Sequence, residues 1–131
     1  DVIDPTSGQV IAGVRDEEGF ASTEELMRAS YTDNLEFTNT TIGVVATNAR
    51  LNKAEATKLA QFSHQGLVRT IKPVHTQLDG DTIFAISHGD QEVDLNLLGL
   101  LAADAVSQAI IQAVKNAEGM DGIPAIGDLN L

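Results

Sequence analysis

The chain has 131 residues, 43% hydrophobic and only 4% aromatic, with no Trp and no Cys. It is long enough for one small domain, whose core must come from Ala, Val, Ile and Leu, and the lack of Cys excludes disulfide staples, thiolate zinc sites and a Cys nucleophile. A formal net charge of −11 repels phosphate backbones, so nucleic acid is not an expected partner, and without a run of about 18 apolar residues no membrane partner is expected either.

The first residues, Asp1-Val2-Ile3-Asp4-Pro5, read like the middle of a protein, so the chain is expected to be one piece of a longer product. No basic stretch leading into an apolar one is visible at the start, and with the missing Cys this fits a cytoplasmic setting. Asp4-Pro5-Thr6-Ser7-Gly8 is a turn by composition, and 9–14 is a candidate strand. Asp4 and Asp16 are assigned to polar turns. Residues 16–19 form a solvated loop. A short helix is predicted from Ser22, which is its N-cap, with Glu25 as the capping-box partner. From Ala29 to Asn39 periodicity is lost, and the stretch reads as a flexible polar loop.

Residues 42–47 are small and β-branched on both faces, as in a strand internal to a sheet. A helix follows, capped by Asn52 with Glu55 three residues on, with the stripe Ala56, Leu59, Ala60, Ser63, Leu67, Ile71. Gly66 and the small residues of that stripe predict close packing on a sheet or another helix. Pro73 ends the helix. After a polar loop, 82–87 is a second strand. Asp94 caps a long helix from about Leu95 to Ala117, with Leu97, Leu98, Leu101, Ala105, Val106, Ala109, Ile110, Ala113 and Val114 as its apolar positions. Lys115 suits its dipole and Gly119 its C-terminal cap. The tail 122–126 is irregular. Two strands alone do not make a stable sheet, so further strands are expected from elsewhere.

Three features carry chemistry. The stretch Thr38-Asn39-Thr40-Thr41 runs straight into the apolar strand. One reading is an ordinary strand start, since Thr has good β propensity. The other makes Thr40 a nucleophile at the head of a buried strand. If the bond before it is cut, its free amine, with a pKa of roughly 7.7–8.0, is a base attached to the hydroxyl it must deprotonate. Asn39 suits the residue before the cut because Asn tolerates unusual backbone angles. Asp79-Gly80-Asp81 stands at the entry to the second strand. In extended chain both carboxylates face one side, toward a cation that is either a divalent metal or a freed Thr40 amine. Gly80 lets another backbone come near. The bland alternative is an Asp-Gly turn with solvated acids. Of the histidines, His64 is structural near a helix's apolar face, His75 lies close to the Asp pair, and His88 sits in a turn after the second strand. Their spacing matches no metal signature, and no zinc site is expected.

Asn39-Thr40-Thr41-Ile42-Gly43-Val44-Val45-Ala46-Thr47-Asn48-Ala49, the 53–67 helix, Pro73-Val74-His75-Thr76 and Asp79-Gly80-Asp81-Thr82-Ile83-Phe84-Ala85 resemble a known family over nearly the whole chain. These stretches are similar to the C-terminal part of the L-aminopeptidase/D-esterase family of self-cleaving hydrolases. That family also holds β-aminopeptidases and the endo-type nylon-oligomer (6-aminohexanoate-oligomer) hydrolase. The resemblance implies an α/β fold, a four-layer α-β-β-α sandwich of the self-cleaving N-terminal-nucleophile type, of which this chain is an incomplete part. It implies cleavage between Asn39 and Thr40, catalytic roles for Thr40, Asp79 and Asp81, and no cofactor or metal. The Thr nucleophile and the Asp/Asp pair are like the nylon-oligomer hydrolase branch.

The same resemblance divides the chain. Residues 1–39 become the C-terminal tail of a large subunit, ending in a flexible loop. Residues 40–131 become the small subunit, strand-helix-strand-helix. The implied partners are the upstream part of the large subunit, which supplies oxyanion-hole groups, and a small amide, peptide or oligoamide substrate. A homo-oligomer of such paired subunits is implied too. Two other readings stand beside this one: a self-cleaving acyltransferase of the ornithine acetyltransferase type, and a non-catalytic subunit or binding module with a divalent-metal site at Asp79/Asp81.

Overall fold

The computed structural model describes residues 1–17, 19–29 and 40–129. Its centre is a strand-helix-strand-helix unit: β3 (Ile42–Ala49), α2 (Lys53–Thr70), β4 (Thr82–Gln91) and α3 (Leu95–Lys115). β3 and β4 pair in parallel, from Ile42 opposite Thr82 to Thr47 opposite Ser87. Parallel neighbours need a crossover, and α2 supplies it. Ahead of this unit come β1 (Val2–Ile3), β2 (Val10–Ala12) and α1 (Thr23–Ala29), and a short 3-10 turn (Ile126–Asp128) closes the described chain.

Local sequence sets the helix ends. Asn52 Oδ1 accepts from the Glu55 amide at 3.0 Å, and a Glu55 carboxylate oxygen accepts from the Asn52 amide at 2.8 Å, a complete capping box. Asp94 Oδ1 accepts from the amides of Asn96 and Leu97, both at 2.9 Å. Ser22 Oγ accepts from the Glu25 amide at 3.3 Å ahead of α1. The predicted cap at Gly119 is not used. α3 ends at Lys115, two residues short of the expected Ala117, and its C-cap Asn116 donates its backbone N–H to the Gln112 carbonyl.

α2 and α3 meet along a seam of small residues. A Cβ on Gly66 would stand 2.6 Å from the Ala103 carbonyl oxygen and 2.7 Å from Val106 Cβ. Gly99 likewise leaves room for the Phe62 ring. Leu59, Ser63, Leu67 and Thr70 of α2 and Ala102, Ala103 and Ser107 of α3 are buried. The two α2 hydroxyls in the seam return to their own helix: Ser63 donates to the Leu59 carbonyl and Thr70 to the Gly66 carbonyl, both at 2.8 Å. The expected close packing of α2 is therefore against a helix. α3 turns Leu97, Leu100 and Leu101 outward. By length and composition α3 could also cross a membrane, and it carries Asp104, which pairs with Arg69 of α2.

Both central strands outrun their predicted ends. β3 continues to Ala49 and β4 to Gln91, so His88 lies within a strand and not in a turn. The extension follows from pairing that sequence pattern does not reveal: Ser87 Oγ donates to the Ala49 carbonyl at 2.7 Å and accepts from the Leu51 amide at 3.1 Å. The candidate strand 9–14 shortens to Val10–Ala12 and pairs antiparallel with β1. β1 also bridges to Ile71, and the Lys72 amide donates to the Asp1 carbonyl at 2.9 Å. Asp4 and Asp16 cap turns as expected, accepting from the Thr6 and Gly19 amides.

Candidate active site

The parallel register builds the site. Ile42 faces Thr82, and the Thr82 amide donates to the Thr41 carbonyl at 2.9 Å. One step back along both strands sets Thr41 beside Asp81, and two steps set Thr40 beside Gly80. The contacts agree. Asp81 Oδ1 accepts from the Thr41 amide at 2.9 Å. A Cβ on Gly80 would stand 2.9 Å from Thr40 Oγ1. The hydroxyl of Thr40 thus lies over the one residue type that leaves it room. The expectation for Gly80 is that it admits another backbone; what it admits is the Thr40 side chain. Thr40 itself is exposed at the head of β3. Asn39 lies outside the described residues, as do residues 30–39 of the expected loop.

The two acids are held by different donors. Asp81 is nearly closed off, its side chain 6% exposed, and both of its oxygens are engaged. Oδ1 takes the Thr41 amide, and Oδ2 lies 2.9 Å from His75 Nδ1. Asp79 Oδ2 accepts from the Thr76 amide at 2.8 Å, and the Asp79 amide donates to the Thr76 carbonyl at 3.2 Å. Asp79 therefore closes a turn ahead of β4, where the period-two alternation of a strand has not begun. Among the described residues no group of three or more His, Asp or Glu converges to hold a metal ion.

The sequence places His75 close to the pair and points to no part for it. Its backbone is left-handed, with φ at 56°, a region that His enters more readily than most residues. That turn aims the ring back at Asp81. On its other side His64 of α2 backs it, ring centroids 5.0 Å apart and tilted by 52°. Burial, and then the proximity of His75, hold His64 below the usual imidazole range, with Asp81 acting weakly in the opposite sense. The Thr41 amide was missed as well. A signal existed: Thr41 and Asp81 each stand one residue ahead of a strand, and a parallel pair aligns such positions.

A shallow depression of about 530 Å³ lies at the other end of the strands, lined by Arg50, Leu51, Asn52, Glu55, Glu92 and Val93. Arg50 and Glu92 pair across it. It is remote from Thr40, and none of its lining groups is a nucleophile.

Residues 6–125 match the family described as Peptidase family S58. An aminopeptidase of Mycobacterium tuberculosis (strain ATCC 25618 / H37Rv), itself named uncharacterized, is 39% identical over 70% of this chain and 31% of its own length. Another so named, from Mycobacterium leprae (strain TN), is 41% identical over 66% of this chain and 28% of its own. A 6-aminohexanoate-oligomer endohydrolase of Paenarthrobacter ureafaciens is 33% identical over 59% of this chain and 25% of its own. The chain thus spans about a third or less of the length of the curated relatives it matches.

Proposed function

The chain belongs to peptidase family S58, and from that premise we propose that it is the nucleophile-bearing part of a self-processing amide hydrolase whose nucleophile is Thr40. The observation that carries the reading is the meeting of two strand heads 40 residues apart: the Thr40 hydroxyl lies over Gly80 and the next amide is fixed on Asp81. The names of the relatives, aminopeptidase and oligomer endohydrolase, both concern amide bonds and support the reaction class.

In maturation the Thr40 hydroxyl oxygen attacks the Asn39 carbonyl carbon. The bond to the Thr40 nitrogen breaks, and an ester joins Asn39 to the Thr40 oxygen. Water hydrolyses the ester, leaving a carboxylate on Asn39 and a free amine on Thr40. In turnover that amine takes the hydroxyl proton and the oxygen attacks the carbonyl carbon of a substrate amide; the C–N bond breaks, the substrate amine leaves with that proton, and the acyl group stays as an ester on Thr40 until water hydrolyses it to a carboxylate. Asp81 holds the strand head still, and Asp79 fixes the loop that leads to it. With both Asp81 oxygens bound to N–H donors, the pair suits holding backbone and amine better than cradling a divalent metal.

The partner in this reading is the rest of the large subunit. It covers the open face of the β3–β4 ribbon, where Ile42, Val44, Phe84 and Ile86 are exposed. The covering strands complete the four-layer α-β-β-α sandwich and bring the oxyanion donors. The pairing of Val2 with Ile71 and of Asp1 with Lys72 gives residues 1–39 a hold on residues 40–131 after the cut. Substrates are small amides, peptides or oligoamides, and the active form is an oligomer of paired subunits.

Mass spectrometry of the purified protein tests the scheme. Two fragments meeting at Asn39/Thr40 are expected, and Thr40→Ala leaves one uncut, inactive chain. A Thr40→Ala protein that is still cut and still active ends the proposal. Asp81→Asn slows cleavage without unfolding the protein, and an unchanged rate would make that acid structural only.

A further inference from the structure

We infer that His75 is a positioning residue for the Thr40 centre: its Nδ1–H holds Asp81 in the rotamer that pins the strand head carrying the nucleophile. The inference rests on the Thr40 reading above and adds to it a residue that reading does not need.

The geometry forms a chain of contacts. The Thr41 amide donates to Asp81 Oδ1 at 2.9 Å, and His75 Nδ1 meets Asp81 Oδ2 at 2.9 Å. Thr41 is the next residue after Thr40, so whatever fixes its amide fixes the plane of the Thr40–Thr41 peptide. A carboxylate with one oxygen bonded still turns about its Cβ–Cγ bond. A second donor on the other oxygen removes that freedom, because a planar group held at both oxygens has a single orientation. Among the described residues, His75 is the only side chain bonded to Asp81. It reaches Asp81 through a left-handed backbone position, and its ring is backed by His64. A surface loop histidine has no need of either constraint. Together they hold an imidazole at one distance from one carboxylate. Nδ1 carries the proton toward Asp81, which leaves Nε2 for solvent, and the ring is partly exposed.

Two substitutions separate the donor from the backbone. His75→Gly keeps the left-handed conformation at no steric cost and removes the donor. His75→Asn tolerates the same conformation and sets an amide N–H close to where Nδ1 stood. In the full chain, the rate of cleavage at Asn39–Thr40 is followed by mass spectrometry, a readout that needs no substrate. His75→Gly is expected to slow cleavage roughly tenfold to a hundredfold, the usual cost of losing a hydrogen bond to a charged partner. His75→Asn is expected to recover most of that loss. Equal rates in the two variants, whether both fast or both slow, overturn the inference, because the donor then plays no part. A second readout does not depend on how either variant folds. The His75 Nδ1 proton is expected as a far-downfield resonance in the Thr40→Ala protein and is expected to vanish in Thr40→Ala/Asp81→Asn. Its absence from the first protein also overturns the inference. An unmutated chain that stays whole sinks the Thr40 reading, and this inference with it. A cut chain with indifferent His75 variants sinks only this one.

Discussion

The two faces of the β3–β4 ribbon differ in kind. On one, Ile83 is 7% exposed and α2 lies over the strands, with α3 locked to α2 along the seam at Gly66. On the other, Ile42 is 71% exposed, Val44 61%, Phe84 57% and Ile86 52%. Isolated exposed apolar residues are ordinary, but four neighbours on one pleated surface are not. The closed face shows that the sequence packs its helices without help. The open face is built to the same chemical standard, and among the described residues its apolar side chains stay exposed. A parallel pair is expected to be covered on both sides, and the partner proposed above is what would cover the open one.

Substitutions on the two faces sharpen that contrast. Gly66→Leu drives a side chain into the Ala103 carbonyl and is expected to cost about 4 kcal/mol or more, measured by urea unfolding of the full protein. A cost under about 1 kcal/mol would mean that the seam is loose. Phe84→Ala tests the open face. If further strands cover it, the loss is about 3 kcal/mol. If it stays in water the change remains within about 0.5 kcal/mol, and the contrast between the faces collapses. Ile83→Val on the closed face removes one methylene and is expected to cost about 1 kcal/mol.

The smallest expected effect is a pH dependence. His64 in the fold takes up its proton at lower pH than in the unfolded chain, where it does so near pH ~6.5. Between those two values the unfolded state binds more protons, so stability rises with pH up to ~6.5 and falls as the medium becomes more acidic. Urea midpoints at about pH 5 and about pH 7 should differ in the parent protein, and the difference should shrink in His64→Gln. An unchanged difference would assign the slope to other groups.

Much of the fold was legible because its signals are local. Asn52 with Glu55 and Asp94 ahead of its helix are hydrogen bonds between residues two or three apart, so residue identity is enough to find them. The order strand, helix, strand, helix from residue 42 follows from the same short-range patterns. So does the switch from polar to apolar at Thr40–Ile42, which marks the head of β3. The strand ends lie beyond the local pattern because Ser87 ties them across the sheet, a contact between positions 38 residues apart.

The site depended on more than the letters. Thr40 over Gly80 and Thr41 on Asp81 require a parallel register, and a shift of one residue would have paired the hydroxyl with a carboxylate instead. Asp79 was grouped with Asp81 by spacing, but a turn at Thr76 gave it another donor. His75 reaches Asp81 from a left-handed backbone position, with His64 of α2 behind its ring. The sequence by itself determined which residues could begin and end each element, since caps and periodicity act within a turn or two of the chain. Which of the two strand heads' side chains would touch was decided by tertiary structure, because the crossover through α2 and the pairing of β3 with β4 set distances that no local rule contains.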